Sequence, residues 1–350
     1  MKRLRKLIDN KTAILLITPV NRRYFSGFES SDGFLIVTNE HSTLFVDGRY
    51  YEAAQREAED CSVELLRDFS DQLAEFIRQL SVERVLVENQ ITVAMFEKIK
   101  KILCFIEVEA DTEINKQIIR LRSVKSEREF EKIRLAQSIT DKAFQEILNY
   151  IKVGVSEKSI ATELEYLMKK YGADEISFKT IAISGKNTSM PHGVPGATTV
   201  KHGDFVTMDF GAVYDGYHSD MTRTVAVGCV SDRMADVYNT VLTAQMNAVT
   251  AVAPGVLASN VDAVARSIIT DSGYGDNFTH STGHGVGLEI HESPNISRIN
   301  NDKLEVGNVI TIEPGIYIES EFGVRIEDMV FVTETGFECI TKADKQLIII

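Results

Sequence analysis

The segment VTMDFGAVYDGYHSDMTRTVAV puts two carboxylates into a run that otherwise reads as apolar strand. Asp215-Gly216 between alternating residues is the sequence of a two-residue type I′ turn. With that turn Tyr214 pairs with Tyr217, Gly211 faces Asp220, and Asp209 faces Thr222. Positions two apart share a face, so Asp209 and Asp220 sit diagonally across one side of the hairpin. An unpaired charge among Phe205, Val206, Met208 and Phe210 is costly, and something positive must meet Asp209. A salt bridge to Arg223 or another base would do this, as would solvation of an exposed sheet face.

A second pair of carboxylates tips the choice toward metal chemistry. In VGNVITIEPGIYIESEFGVRIEDMVFVT, Glu313 ends one apolar strand and Glu327 lies inside another, with Arg325 on the Glu327 face by alternation. A hairpin closing near Glu319 to Glu321 would set Glu313 opposite Glu327. Between the two pairs lies FTHSTGHGVGLEIHESP, where glycines flank His284 and let the backbone approach closely. One such histidine is usually a satisfied structural side chain. Four carboxylates and one imidazole in apolar or Gly-rich settings form an oxygen-rich, single-nitrogen set that suits Mn²⁺, Co²⁺, Fe²⁺ or Zn²⁺. Two ions about 3.5 to 4 Å apart would offset the buried negative charge and supply a hydroxide nucleophile at neutral pH.

These residues need a scaffold, and the hydrophobic pattern supplies one in two parts. Up to about Leu121, AILLI, FLIVT, TLFVD and RVLVE read as strands, and YYEAAQREAED, DQLAEFIRQL and AMFEKIKK as helices. Then LRSVKSEREFEKIRLAQSITDKAFQEILNYI reads as a long amphipathic helix, with Ser126 and Glu129 spaced as a capping box. Further helices follow at SEKSIATELEYLMKKYG, RMADVYNTVLTAQMNAVTAV and ASNVDAVARSIITDSG, and the rest is strand and turn. The class is α+β, with an amino-terminal α/β domain over residues 1–122 and a second domain over 123–350.

The chain has 350 residues, 44% hydrophobic and 25% charged, which fits two soluble folded domains. Its 38 basic and 51 acidic residues leave a net charge of −13, which repels nucleic acid and anionic membranes. Cys61, Cys104, Cys229 and Cys339 form no CxxC pair or zinc spacing and read as reduced thiols. The apolar stretch after the basic start is too short for a signal sequence or a membrane span. A cytoplasmic location is the default expectation.

Asp209, Asp220, His284 in GHGVG, Glu313 in TIEPG and Glu327 in RIED resemble, in order, the five metal ligands of the pita-bread metallopeptidases. That M24 family includes methionine aminopeptidase, aminopeptidase P and prolidase. YFSGFESSDGFLIVT and FVDGRYYEAAQRE are similar to the creatinase-type amino-terminal domain of the proline-directed branch, so the resemblance covers nearly the whole chain. It implies a dinuclear centre of Mn, Co or Zn ions in which Asp209 and Glu327 reach one or both ions, Asp220 chelates one, His284 and Glu313 bind the other, and the two glutamates bridge. It also implies catalytic parts for Glu313, taking a proton from the attacking water, and for His192 in SMPHGVPG and His291 in LEIHESP, near the metals. Either imidazole can donate to an oxyanion or pass a proton to the leaving amine.

The implied substrates are small peptides with proline at the second position, and the implied assembly is a homodimer. The reading is an Xaa-Pro aminopeptidase, which cleaves between an amino-terminal residue and the proline that follows. The alternative is an Xaa-Pro dipeptidase, or prolidase, restricted to dipeptides. Some prolidases carry an arginine at the position of Asn295 to read the free carboxylate, and the asparagine here speaks against strict dipeptide specificity. Non-catalytic or creatinase-like relatives form a third class, but those that only bind usually lack the ligand set. His218, next to the hairpin turn, and His41 and His202 read as structural histidines, and His280 could line the pocket.

Overall fold

Strand β1 (Thr12–Leu16) is buried along its whole length, because TAILL has to serve two cores at once. Ile14 and Leu16 join Leu35, Val37, Leu44 and Val46 on one face, while Ala13 and Leu15 join Phe34, Ile36, Val85 and Val87 on the other. The alternation of a strand covered on both sides produces this split. A computed structural model describes residues 1–350, which divide into two compact units, Met1–Arg122 and Ser123–Ile350.

The first unit is a six-stranded mixed sheet with helices on its faces. With β2 (Phe34–Val37), β3 (Ser42–Val46), β4 (Ser62–Leu65), β5 (Arg84–Val87) and β6 (Glu107–Ala110), the strand order is β4-β3-β2-β1-β5-β6. The four strands read from the sequence form its centre. The two edge strands, SVEL and EVEA, carry too much charge to read as strand, and charge of this kind keeps a sheet edge from pairing with other chains.

The second unit combines long helices with small antiparallel sheets, the segregated layout of an α+β domain. Its first helix runs Glu127–Ile147 and opens with the expected capping box, Ser126 and Glu129 each satisfying the other's backbone N–H. The strands that matter for the site are β7 (Glu175–Ile176), β8 (Ile181–Ser184), β9 (Phe205–Phe210), β10 (Ala212–Tyr214), β11 (Tyr217–His218), β12 (Met221–Ala226) and β13 (Gly283–Gly285). They are followed by β14 (Glu292–Ile296), β15 (Val309–Ile312), β16 (Gly315–Ile318), β17 (Phe322–Arg325), β18 (Asp328–Thr333) and β19 (Gly336–Cys339).

The turn at Asp215-Gly216 has positive φ at both residues, 45° and 76°, as type I′ requires. Tyr214 pairs with Tyr217 and Asp209 with Thr222, the register read from the sequence. The hairpin is nevertheless interrupted: β9 and β12 belong to one sheet with β8, and β10 and β11 to another with β7. Gly211 stands at the break, where a Cβ would lie 1.9 Å from the Ser219 carbonyl oxygen, and the Ser177 hydroxyl bonds the Ala212 and Ser219 carbonyls there.

The second hairpin follows the same plan. It closes at Glu319–Glu321, with Ile318 opposite Phe322 and Gly315 opposite Arg325, and the same register continues into Ile312 opposite Asp328. Glu313 and Glu327 therefore occupy opposed positions. Glu327 is not inside a strand, as the apolar run suggested, but in the gap between β17 and β18, and Glu313 occupies the matching gap between β15 and β16. No helix of the chain is long and apolar enough to cross a membrane.

Candidate metal centre

Two broken hairpins deliver four carboxylates: Asp209 from within the β9 ladder opposite Thr222, and Asp220, Glu313 and Glu327 from the gaps between strands, where a break frees side chain and backbone. Asp209 is held from one side only: Arg325 Nη2 donates to its Oδ2 at 2.6 Å. The positive partner is thus Arg325 and not Arg223, which pairs with Asp328 at 2.8 Å and donates to the backbone carbonyls of Thr222, Glu327 and Ala343. Arg325 Nε donates to Thr222 Oγ1 at 3.0 Å, and that hydroxyl donates to Glu327 Oε2 at 2.7 Å. One guanidinium so orients Asp209 directly and Glu327 through Thr222.

His284 reaches the same point from β13, whose Gly283 lets the strand lie against Thr311; a Cβ there would be 1.9 Å from the Thr311 carbonyl oxygen. Its Nδ1 faces the Gly285 carbonyl at 3.0 Å and must donate the proton, since a carbonyl only accepts. Nε2 then presents a lone pair, 3.3 Å from Glu313 Oε1 and 3.5 Å from Asp220 Oδ2. Two carboxyl groups thus meet the unprotonated nitrogen of the ring. That is the tautomer and the spacing of a metal-ligating histidine.

The unsatisfied atoms point the same way. Asp209 Oδ1, Asp220 Oδ1 and Glu327 Oε1 are buried with no hydrogen-bond partner. Burial, reinforced by Glu327, Asp209 and Glu313, pushes the Asp220 carboxyl well above the usual range. Burial and then the charges of Glu313 and Asp209 do the same to Glu327. Burial raises Glu313 to about 8, against the pull of Arg325. Without a cation the quartet cannot carry its full negative charge near neutral pH. Ligand atoms of Asp220, His284 and Glu327 lie within 4.8 Å of one another, so the donor set fits a divalent ion.

The cluster forms one wall of a cavity of about 660 Å³. His192, from the loop after β8, and His291, just before β14, both line it, as do His280 and Asn295. The His291 ring lies 4.4 Å from the His284 ring, edge to face. Burial, followed by the His284 ring, lowers the His291 pKa, and burial with Arg325 beside it takes His280 to about 4. All seven residues singled out for ligation or catalysis thus meet in one place. His41, His202 and His218 do not line the cavity; His218 is half-buried beside the hairpin turn, where desolvation lowers its pKa.

Two members of the site were not visible in the sequence. Tyr317 Oη receives Arg325 Nη1 at 2.8 Å and meets His280 Nε2 at 2.9 Å, and burial pushes its pKa up to about 12. It sits in the apolar strand GIYI, where a tyrosine reads as core. Thr222 was placed opposite Asp209 by register, yet its bond to Glu327 depends on the second hairpin lying across the first, which no pattern within either hairpin announces.

Comparison with known proteins agrees with this architecture. The model of metallopeptidase family M24 matches residues 131–334, and that of the creatinase/prolidase N-terminal domain matches residues 1–124. An Xaa-Pro dipeptidase from Pyrococcus furiosus is 40% identical over 99% of this chain and 99% of its own length. Among solved structures, an Xaa-Pro dipeptidase from Bacillus anthracis is 39% identical, with a TM-score of 0.95 over 99% of this chain and 98% of that one. An X-Pro aminopeptidase from Thermotoga maritima MSB8 is 36% identical, with a TM-score of 0.93 over 99% of this chain and 100% of that one. The chain is a peptidase of metallopeptidase family M24, built from a creatinase/prolidase amino-terminal domain and a pita-bread domain.

Proposed function

We propose that this peptidase is an Xaa-Pro dipeptidase, using two divalent ions held by Asp209, Asp220, His284, Glu313 and Glu327. The observation that carries the metal centre is a buried group in which Asp209, Asp220 and Glu327 each keep one carboxylate oxygen without a partner, while Asp220 and Glu313 also approach the bare Nε2 of His284. Asn295 had favoured the aminopeptidase reading. The full-length relatives named Xaa-Pro dipeptidase, at 40% and 39% identity, move the weight to the dipeptidase. The 36% identical X-Pro aminopeptidase supports the longer-peptide activity as the second reading.

Bound divalent ions supply a Lewis acid for the scissile carbonyl and lower the pKa of a water. The side chains do the rest. Glu313, buried beside His284, takes the proton of the attacking water on a carboxylate oxygen. His192 and His291 line the cavity on the side left open by the ligands and donate to the oxygen that becomes an oxyanion. One of them then passes a proton to the leaving nitrogen, which in a prolyl bond has no N–H of its own. Arg325 keeps Asp209 and, through Thr222, Glu327 from turning away. The homodimer belongs to the same proposal and is checked by light scattering.

The test is hydrolysis of Ala-Pro, Ala-Pro-Ala and Ala-Ala-Ala by metal-stripped protein resupplied with Mn²⁺, Co²⁺ or Zn²⁺. Metal-dependent cleavage of Ala-Pro alone is the expected result. Cleavage of Ala-Pro-Ala before proline makes the protein an aminopeptidase, and no cleavage of either proline substrate refutes the Xaa-Pro reading.

A further inference from the structure

Glu157 opens the helix Glu157–Lys170, is 1% exposed, and makes no ion pair. A buried carboxylate without a cation must be compensated by hydrogen bonds, and every donor it receives comes from one loop. Its Oε1 accepts from Ser184 N at 2.8 Å, Ser184 Oγ at 3.2 Å and Asn187 Nδ2 at 2.8 Å. Its Oε2 accepts from Gly196 N at 3.1 Å. The backbone around it joins in, as Glu157 N donates to the Thr198 carbonyl and Lys158 N to the Gly196 carbonyl.

The two carboxylate oxygens therefore grip the two ends of the segment 184–196. Its middle is anchored to the neighbouring hairpin where Gly323 N donates to Thr188 Oγ1 and Arg325 Nη1 to the Pro191 carbonyl, and turns on itself where Gly193 N donates to the Met190 carbonyl. His192 follows that last tie and lines the cavity, while Val194, two residues on, is 84% exposed. With Met190 also 49% exposed, little packs around the imidazole itself, although Thr188 is buried. The fixed points at the loop's ends have to hold it.

We propose that Glu157 is the positioning residue for His192, setting the imidazole's place in the cavity by clamping both ends of the loop. This rests on the reading of His192 as a group that touches the substrate. A glutamine at 157 cannot replace the carboxylate, because its NH₂ must face either Gly196 N–H or the Ser184 and Asn187 donors.

The test compares Glu157→Ala and Glu157→Gln with the unaltered protein and repeats Glu157→Ala on a His192→Ala background. Expected for Glu157→Ala is a kcat on Ala-Pro lower by about 10–100-fold, as displacement of a reacting group costs. KM and bound metal stay unchanged, and amide hydrogen exchange accelerates within 185–198. On the His192→Ala background the same change costs no more than about twofold, because its effect runs through the missing imidazole. Loss of metal, or the full loss of kcat on that background, overturns the proposal. If Glu157→Ala does not fold, Glu157→Gln carries the same comparison with only one end of the loop released. If the unaltered protein cleaves no Xaa-Pro substrate, the functional reading falls separately; unchanged exchange in 185–198 would then overturn the clamp, and faster exchange would uphold it.

Discussion

The first unit and the metal centre of the second both bury carboxylates, and they do so in opposite ways. Glu88 in the first unit is 0% exposed, yet its oxygens accept from Ile17 N, Thr18 N, Thr18 Oγ1 and Asn21 Nδ2. Asp220 and Glu327 in the second unit are 4% and 1% exposed, and each keeps one oxygen with nothing to bond. Burial is the same, but satisfaction differs. A buried carboxylate whose every oxygen is met by N–H and O–H groups is a structural joint, here fastening the residues that lead into the helix Pro19–Ser26 and the Asn21 side chain within it. One left short in a cluster of its own kind is waiting for a cation.

Removing one member from each group tests the contrast most severely. Asp220→Asn should abolish metal binding and bring activity to background, while the metal-free protein melts no lower than before, since a repelling charge has gone. Glu88→Ala should do the reverse. It leaves several donors buried and unmet at about 1–3 kcal/mol each, so chemical denaturation should show a loss of about 3 kcal/mol or more, with metal content intact. If Asp220→Asn unfolded the protein and Glu88→Ala were neutral, the distinction drawn from hydrogen-bond satisfaction would be wrong.

Much of this was legible beforehand, and the reason lies in turns. The pair Asp215-Gly216 fixes a type I′ hairpin, and from it the places of Asp209 and Asp220 follow by counting. The closure at Glu319–Glu321 does the same for Glu313 and Glu327. What counting cannot show is that the hairpins are interrupted at Asp220, Glu313 and Glu327 while Asp209 keeps its place in the ladder. Gly211 is a small residue in a strand whichever way the ladder runs, and only the Ser219 carbonyl packed against it forces the break. Contacts between the hairpins, Thr222 to Glu327 and Arg325 to Asp209, lie a hundred residues apart in sequence and leave no periodic trace. In the first unit the helix Thr112–Ser123 was missed for a different reason, since the sequence was read as ending one domain just where this helix runs on.

The pH dependence sharpens the contrast in the metal-free protein. Glu313, Asp220 and Glu327 all have folded-state pKa values raised by burial. A group with a raised folded pKa favours the fold while it is protonated, and that contribution disappears as pH rises from the unfolded value through the folded one. Stability of metal-free protein should therefore fall as pH rises from the ordinary carboxylate range near 4.5 to about 8, where Glu313 titrates. Saturating metal should cancel the fall, so the increase in melting temperature on adding Mn²⁺ is larger at pH 8 than at pH 6. An ion at a hundredfold its dissociation constant adds about 2.7 kcal/mol. Equal shifts at both pH values would mean that the quartet is already neutralised from within the chain.

The smallest effect concerns Glu327, a carboxylate of the cluster with one oxygen bonded to a hydroxyl and the other bare. Thr222 Oγ1 donates to Glu327 Oε2 and accepts from Arg325 Nε, so it passes the orientation set by the guanidinium on to the ligand. Thr222→Val keeps the shape and the strand propensity and removes only that link. Glu327 would retain its place in the gap between β17 and β18 but lose its fixed rotamer, and metal affinity should fall by about tenfold, the lower end of what outer partners of metal ligands contribute. Titration of metal-free protein with Mn²⁺ reads this directly. A valine that left affinity untouched would show that the break in the hairpin alone holds Glu327, and that the backbone, rather than the hydroxyl relay from Arg325, separates the waiting carboxylates from satisfied ones such as Glu88.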